Sequence, residues 1–145
     1  LWNMYSPQNI TETYGNPSRI GFHSDLLGKG PEFGYQLFYF YDDQGFMILY
    51  NGSGVKDETE KYLHACPVFT GDHGIYWIDI IAQSSGDKTS LESRFEARNQ
   101  VVWPNIFTIE QITGLSIDEF TTLIKDVNTN SCFDVSIELL HSLTP

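Results

Sequence analysis

Lysine and arginine are scarce in this chain of 145 residues, which contains 8 of them against 19 aspartate and glutamate residues. The formal net charge is −11 at neutral pH. A protein that binds nucleic acid needs clustered cationic side chains to neutralise phosphates, so the composition argues against such a partner. The same sign of charge disfavours docking onto an anionic membrane surface.

Long apolar runs are missing as well. No stretch approaches the ~18 consecutive apolar residues of a membrane-spanning helix, which predicts a soluble chain. The sequence begins at Leu1 without the charged start, apolar segment and cleavage site of a secretory signal. Because a signal peptide is removed on export, this beginning does not decide the compartment.

Cysteine is limited to two residues, Cys66 and Cys132, which stand far apart in the sequence. They fit either one long-range disulfide in an oxidising compartment or two unrelated buried thiols. The even count and the loop-like settings Ala-Cys-Pro and Asn-Ser-Cys favour the disulfide. A disulfide predicts that the two Cα atoms lie within ~7 Å of each other and that the protein is exported from the reducing cytoplasm.

Aromatic residues, in contrast, are concentrated in one stretch, residues 35–41, which is followed by the loop 42–45 and the apolar run 46–50. Two such runs around a short loop that ends in Gly predict a β-hairpin. Alternation places Tyr35, Leu37, Tyr39 and Tyr41 on one face and Phe38 and Phe40 on the other, while Phe46, Ile48 and Tyr50 oppose Met47 and Leu49. Because both faces are apolar, we expect helices, another sheet or a partner molecule to cover each of them.

Helix signals lie on both sides of this hairpin. Capping residues predict three helices, from Ser6 to Gly15, from Thr108 to Gly114 and from Ser116 to Asp126. Residues 136–143 predict a short terminal helix, and residues 91–98 are ambiguous but fit a helix.

Strand signals complete the predicted sheet. Residues 18–24 predict a first strand, residues 51–54 are expected to break the hairpin, and residues 55–63 predict a charged edge strand. Residues 75–82 predict a strong strand with Ile75, Trp77, Asp79 and Ile81 on one face and Tyr76, Ile78, Ile80 and Ala82 on the other. The predicted fold class is α+β, an antiparallel sheet built on the central aromatic hairpin and packed by short N-terminal and C-terminal helices. Residues 1–145 are expected to form a single globular domain.

Short stretches of the chain resemble a known group of proteins. Residues 14–20, Tyr-Gly-Asn-Pro-Ser-Arg-Ile, followed by the aromatic hairpin, resemble the opening of small bacterial envelope lipoproteins, including outer-membrane-assembly lipoproteins of the SmpA/OmlA type. Residues 113–120, Thr-Gly-Leu-Ser-Ile-Asp-Glu-Phe, together with Cys66-Pro67 and Cys132, are similar to uncharacterised surface lipoproteins of Chloroflexi-type bacteria. The resemblance implies an exported α+β domain, periplasmic or extracellular, with no catalytic residues to transfer. It would meet the membrane only through an N-terminal lipid anchor outside this sequence.

Few residues have a spacing that carries chemistry. His64 lies two residues before Cys66, as a base would beside a nucleophilic thiol. However, Pro67 follows at once, no polar group close in sequence can orient the imidazole, and a disulfide would consume the thiol. Four other residues could bind a metal only if the fold gathers them, because none has the spacing of a zinc site: His23, Asp25, Asp72 and His73. No cofactor is predicted.

The best-formed site candidate is a stretch at residues 126–138 that is similar to a calcium-binding loop. Its first, third, fifth and ninth positions are Asp126, Asn128, Asn130 and Asp134. Ser131 replaces the turn glycine, and Ile137 stands where a bidentate carboxylate is needed. We therefore favour an Asx-rich turn over a weak calcium site.

Two functions of different class are consistent with these signals. The first is a non-enzymatic envelope or extracellular domain for binding or assembly, whose exposed Tyr and Trp rings contact an unknown protein or small molecule at the cell surface. The rival is a hydrolase-like enzyme that uses scattered residues, namely His64, Asp72, His73 and Asp79. Asp79 motivates it as the one carboxylate in an apolar strand. The many structural signals and the absence of a catalytic motif favour the binding domain.

Overall fold

The computed structural model describes residues 2–24, 30–69, 73–83, 89–99, 105–125 and 131–143. Within these ranges, seven strands form one curled antiparallel sheet, and five α-helices accompany it. The strands are β1 (Arg19–His23), β2 (Glu32–Tyr41), β3 (Phe46–Lys56), β4 (Tyr62–Ala65), β5 (Ile75–Ala82), β6 (Phe107–Thr108) and β7 (Phe133–Ser136). The helices are α1 (Pro7–Tyr14), α2 (Leu91–Asn99), α3 (Ile109–Thr113), α4 (Ile117–Lys125) and α5 (Ile137–Leu143). The predicted α+β class is confirmed.

The aromatic hairpin is the centre of the sheet. The strand order is β6-β1-β2-β3-β4-β7, and β5 also pairs with β3. β2 and β3 stay in register from Tyr41 opposite Phe46 to Glu32 opposite Val55. On its other side, β3 pairs with β5 along residues 46–52 and with β4 at residues 55 and 56. The remaining strands are thus added on both sides of the predicted hairpin.

The first face of the hairpin lies in the larger hydrophobic core. The β2 and β3 residues that alternation places there are Tyr35, Leu37, Tyr39, Tyr41, Ile48 and Tyr50. Helices α1, α3, α4 and α5 cover them with Ile10, Ile109, Ile112, Phe120, Ile124 and Leu140. Full burial of a large apolar side chain contributes about 1.5–3 kcal/mol, so this layer supplies most of the stabilising burial.

The second face has a smaller core. Phe38, Phe40, Met47, Leu49 and Ile81 are covered there by Leu91 and Phe95 of α2. The covered positions of β2 and β3 all lie in the half of the hairpin next to its turn. The expected covering of both faces is therefore confirmed for that half. The other half carries polar side chains on this face, among them Gln36 and Asn51, which lie opposite each other in register.

The prediction that residues 51–54 break the hairpin is wrong. Strand β3 continues through them to Lys56. A Cβ atom at Gly52 would overlap the ring of Tyr35, and one at Gly54 would lie 2.6 Å from the ring of Phe33. These rings lie over the glycines and replace the side chains that the strand lacks. The strand can therefore pass through a sequence that is typical of a loop.

The prediction of a charged edge strand at residues 55–63 is wrong. Residues 57–61 form a turn in which the Asp57 carboxylate accepts hydrogen bonds from the backbone N–H groups of Lys61 and Tyr62. β4 begins only at Tyr62 and is paired on both sides, with β3 and with β7. The charges that suggested an edge belong mainly to this turn.

The predicted helix starts are confirmed. Ser6 accepts a hydrogen bond from the backbone of the first turn of α1. Thr108 and Gln111 make both bonds of the capping box, and Ser116 and Glu119 make the same reciprocal pair before α4. The ambiguous residues 91–98 belong to α2.

Candidate functional site

A β-bulge in β5 shapes the first candidate site. Asn51 lies opposite Trp77 and Gly52 opposite Ile75, so Tyr76 is an extra residue in the strand. The bulge moves Ile75 into the larger core, away from the face that strict alternation predicts for it. It leaves Tyr76 and Trp77 as neighbours with 68% and 63% of their surfaces exposed. They are the most exposed large apolar residues in the described part of the chain.

Tyr76 borders an open cleft of about 320 Å³ that is also lined by His23, Gly34, Tyr35, Gln36 and Asn51. The Nε2 group of Gln36 donates a hydrogen bond to Oδ1 of Asn51 at 3.1 Å. Oε1 of Gln36 can therefore accept, and Nδ2 of Asn51 can donate, a hydrogen bond to a molecule in the cleft. We refer to Tyr76, Trp77, Gln36 and Asn51 as the aromatic patch.

The second candidate site lies where β4 ends, beside the disulfide between Cys66 and Cys132. The two sulfur atoms are 2.03 Å apart and the two Cα atoms 4.0 Å apart, which confirms the predicted pairing. Ala65 lies opposite Phe133 in the β4–β7 pair, so the two cysteines occupy the next opposed positions. The bond links residues 66 positions apart, and closing such a loop stabilises a fold by up to ~4 kcal/mol in the chain-entropy model.

His64 connects this disulfide to a carboxylate. Its Nδ1 atom lies 2.7 Å from Oδ1 of Asp134, and its Nε2 atom lies 3.6 Å from Sγ of Cys66. His64 and Asp134 are opposite each other in register, and the cysteines follow two positions along on the same face. We refer to His64, Asp134, Cys66 and Cys132 as the histidine–disulfide cluster. It is open to solvent, since 44% of the His64 side chain and 60% of the Asp134 side chain are exposed.

From the sequence, Asp134 is predicted as part of the calcium-like loop and is not identified as the partner of His64. The objection that nothing orients the imidazole of His64 holds only for residues close in sequence, because Asp134 is 70 residues away. The alternating pattern of residues 132–136 is the one available signal for a strand here. Because residues 126–138 are interpreted as a calcium-type turn, this strand signal is not used.

The calcium-loop candidate is only partly described. Asp126, Asn128 and Asn130 lie outside the described residues. Asp134 lies in strand β7, where its carboxylate contacts His64. The weak calcium site therefore stays a prediction.

Asp79, the residue that motivates the hydrolase hypothesis, has a cationic partner. Its Oδ1 atom lies 2.9 Å from Nη2 of Arg98 in α2, and only 15% of its side chain is exposed. Arg98 also donates to the backbone oxygen of Ile80 at 2.7 Å. The contact ties α2 to β5, which gives Asp79 a structural role at the rim of the smaller core.

Of the four scattered metal-ligand candidates, the two described ones, His23 and His73, have different partners. His23 contacts the backbone oxygen of Asn105 through Nδ1 at 2.9 Å, and His73 lies 3.9 Å from a carboxylate oxygen of Glu32. Asp25 and Asp72 lie outside the described residues. The described ranges contain one cluster of three potential ligands, which consists of His64 and the two cysteines. Its two sulfur atoms are bonded to each other.

Two tyrosine hydroxyls are buried in the larger core. Tyr35 and Tyr39 have no hydrogen-bond partner among the described residues. Burial raises the pKa of both hydroxyls above the ordinary tyrosine value. They stay protonated at neutral pH and serve as core residues rather than as an acid or a base.

Comparisons with known proteins add no assignment to these sites. Neither a protein-family model, nor a curated protein, nor a solved structure matches the chain. Among the described helices, none has the length and apolar character needed to span a membrane. Functional inference therefore depends on the aromatic patch and the histidine–disulfide cluster.

Proposed function

We propose that this chain is an exported domain with a non-enzymatic binding site, the aromatic patch, which holds a neutral, hydroxyl-rich ligand such as a glycan of the cell envelope. The observation that carries the proposal is a pair of exposed rings: Tyr76 lines the cleft with Gln36 and Asn51, and Trp77 lies opposite Asn51 in register. Exposed aromatic residues that cluster on a rigid strand provide a large contact area at a low cost in conformational entropy.

The side chains of the cleft favour this class of ligand. Amide groups both donate and accept hydrogen bonds, which suits hydroxyl groups, and an aromatic ring can pack against the C–H face of a sugar. Among the described residues that line the cleft there is no Lys, Arg, Asp or Glu. Apart from the imidazole of His23, these described side chains offer no ion-pair partner to a charged ligand, and the net charge of −11 repels polyanions.

Two observations support an exported location. The Cys66–Cys132 disulfide suits an oxidising compartment, since thiols are kept reduced in the cytoplasm. The sequence also resembles bacterial envelope lipoproteins, which would place the domain at the cell surface behind an N-terminal lipid anchor. A glycan of the envelope is abundant at that location.

Titration with neutral oligosaccharides, followed by NMR chemical shifts of the aromatic patch, tests the proposal. We expect a dissociation constant near ~1 mM or tighter, which corresponds to about 4 kcal/mol of binding free energy. Tyr76→Ala and Trp77→Ala should each weaken binding about tenfold, because each removes one stacking surface.

Tyr62→Ala is the matched control, since Tyr62 is an exposed tyrosine on a different strand, β4. We expect this variant to bind as tightly as the unmodified chain. If no neutral oligosaccharide shifts the resonances of the patch, or if Tyr62→Ala weakens binding as much as Trp77→Ala, the proposal is wrong. Preferential binding of acidic oligosaccharides would also overturn it.

A further inference from the structure

We propose that the Cys66–Cys132 disulfide is redox-active and accepts electrons from dithiols of exported partner proteins, with His64 and Asp134 stabilising the thiolate of Cys66. The inference is independent of the aromatic patch. It rests on the geometry of the histidine–disulfide cluster on β4 and β7.

The imidazole of His64 is positioned by its two neighbours. With Nδ1 donating to the carboxylate of Asp134 at 2.7 Å, Nε2 faces Cys66 Sγ at 3.6 Å. A proton on Nε2 therefore points at the sulfur that becomes a thiolate when the disulfide opens. The other cross-strand neighbour of His64 is Val55 of β3, so Asp134 is its charged partner across the sheet.

A purely structural disulfide needs no such arrangement. Reactive cysteines occur in partly exposed sites next to a cation or an imidazolium, whereas structural ones are buried and inert. Both cysteines here are partly exposed, and His64 and Asp134 beside them are open to solvent. A partner thiolate can therefore approach the cluster.

The exchange proceeds in two balanced steps. A thiolate of the partner attacks Sγ of Cys132, the Cys66–Cys132 bond breaks, and Cys66 leaves as a thiolate beside Nε2 of His64. The second thiolate of the partner then attacks the partner's first sulfur, which is bonded to Sγ of Cys132 in the mixed disulfide. Cys132 is expelled as a thiolate. The partner loses two electrons and becomes a disulfide, while the protein gains two electrons and takes up two protons in place of those the dithiol lost.

The direction of the reaction follows from the same contact. Stabilising one thiolate lowers the free energy of the reduced protein and leaves the disulfide state unaffected, so the disulfide becomes a stronger oxidant. The partner is therefore a protein whose dithiol is oxidised. It is not a protein with a misfolded disulfide that this chain would reduce.

Equilibration in glutathione redox buffers, with intact mass after acid quenching and alkylation, tests the proposal with both cysteines in place. His64→Ala should make the disulfide about tenfold harder to reduce, and Asp134→Asn should lie between this variant and the unmodified chain. His141→Ala, a histidine on the exposed side of α5, is the control and should behave as the unmodified chain.

A second measurement separates thiolate stabilisation from a change in access. In a Cys132→Ser background, iodoacetamide should alkylate Cys66 about tenfold faster at pH 7 with His64 present than in the Cys132→Ser/His64→Ala variant. Near pH 10 the two rates should converge, because the thiol is largely deprotonated in both. If the single-cysteine chain does not fold, the glutathione equilibrium alone decides the question.

Three results would overturn the proposal. The first is a disulfide that resists glutathione equally in the unmodified chain and in His64→Ala. The second is a difference in alkylation rate that persists near pH 10, which would indicate steric access. The third is protection of both reduced cysteines by stoichiometric zinc without any effect of His64 on the redox equilibrium, which would assign the cluster to a metal.

Discussion

The two faces of the β2–β3 hairpin differ away from the turn, where the first face stays apolar and the second face carries Gln36 and Asn51. Among the described helices, four bury the first face, whereas α2 covers the half of the second face that lies next to the hairpin turn. The rest of the second face carries the aromatic patch. The second face is thus buried where its apolar residues meet α2, and the polar half beyond them is the place where a ligand can bind.

The largest expected effect comes from the first face, through Phe120→Ala. The side chain of Phe120 is 0% exposed, and its ring centroid lies 5.0 Å from that of Phe133. Removing a ring from a dense core lowers the free energy of unfolding by about 3–5 kcal/mol, which urea unfolding measures. Phe95→Ala on the second face should cost less, because the smaller core beside solvent can relax. An equal loss for Phe95→Ala would contradict the difference between the faces.

A second comparison uses glycines on opposite faces. Gly54→Ala would place a Cβ atom 2.6 Å from the ring of Phe33 and against the backbone of β4. We therefore expect this variant to lose about 1–3 kcal/mol of unfolding free energy. Ala at Gly34 would meet no atom within 4 Å and should change stability by less than about 0.5 kcal/mol. Thermal unfolding of both variants measures the two effects. Equal effects would show that the first face is not as tightly packed as described.

The tyrosines of the first face allow a test of buried hydroxyls. Tyr50 donates to the backbone oxygen of Tyr5 at 2.8 Å, so Tyr50→Phe should lower the free energy of unfolding by about 1 kcal/mol. Tyr39 has no partner among the described residues, so Tyr39→Phe should be neutral or slightly stabilising. Urea unfolding of the two variants in parallel measures the difference. A destabilised Tyr39→Phe variant would indicate a partner for that hydroxyl.

A smaller effect, dependent on pH, belongs to the rim of the second face. Arg19 lies over the ring of Phe40 at 4.0 Å and donates two hydrogen bonds to Asp42, which lower the pKa of that carboxyl. Stability from this contact is fully present above the unfolded value, about 4, and is lost as pH falls through the lower folded value. The pair is partly exposed, so we expect less than about 1 kcal/mol.

Urea unfolding of the unmodified chain and of Asp42→Asn at pH 6 and pH 3 measures this effect. The difference in stability between the two should shrink at pH 3, because this pH lies below the unfolded pKa of about 4 and protonation of the carboxyl in the unfolded chain then favours unfolding. A difference that stays constant between the two pH values would exclude the Arg19–Asp42 pair as its cause.

The smallest expected effect concerns the aromatic patch itself. Tyr76 and Trp77 are largely exposed, so their replacement by Ala should change the free energy of unfolding by no more than about 0.5 kcal/mol. Differential scanning calorimetry measures this. A loss comparable to that of Phe95→Ala would mean that the two rings support the fold, and a loss of ligand binding could then no longer be attributed to the patch alone.

Much of the fold is predictable because its signals are local. Ser6, Thr108 and Ser116 cap helices through atoms within three residues, and the Gly45 turn joins two apolar runs that must pair. The two-residue strand β6 is too short to show a pattern, and the alternation of residues 132–136 is too short to distinguish strand β7 from a calcium-type turn. They exist because β1 and β4 offer them an unpaired edge.

The aromatic patch is only partly predictable. The sequence shows that Tyr76 and Trp77 lie in a strand, and alternation places them on opposite faces. The bulge opposite Asn51 and Gly52 overrides that alternation, because the position of an extra residue depends on the partner strand. Which rings stay exposed depends on how much of the second face α2 covers. No local sequence pattern predicts that extent.

The sequence by itself determines the charge, the capped helices and the central hairpin, because each depends on composition or on neighbouring residues. It favours a disulfide between Cys66 and Cys132, but the register of β4 and β7 decides that pairing. Only the tertiary structure decides that Gly52 and Gly54 belong to a strand, that one half of a sheet face stays open, and that Asp134 meets His64. These features depend on register between segments up to 70 residues apart. A shift of one residue in that register would turn the same side chains to the opposite face.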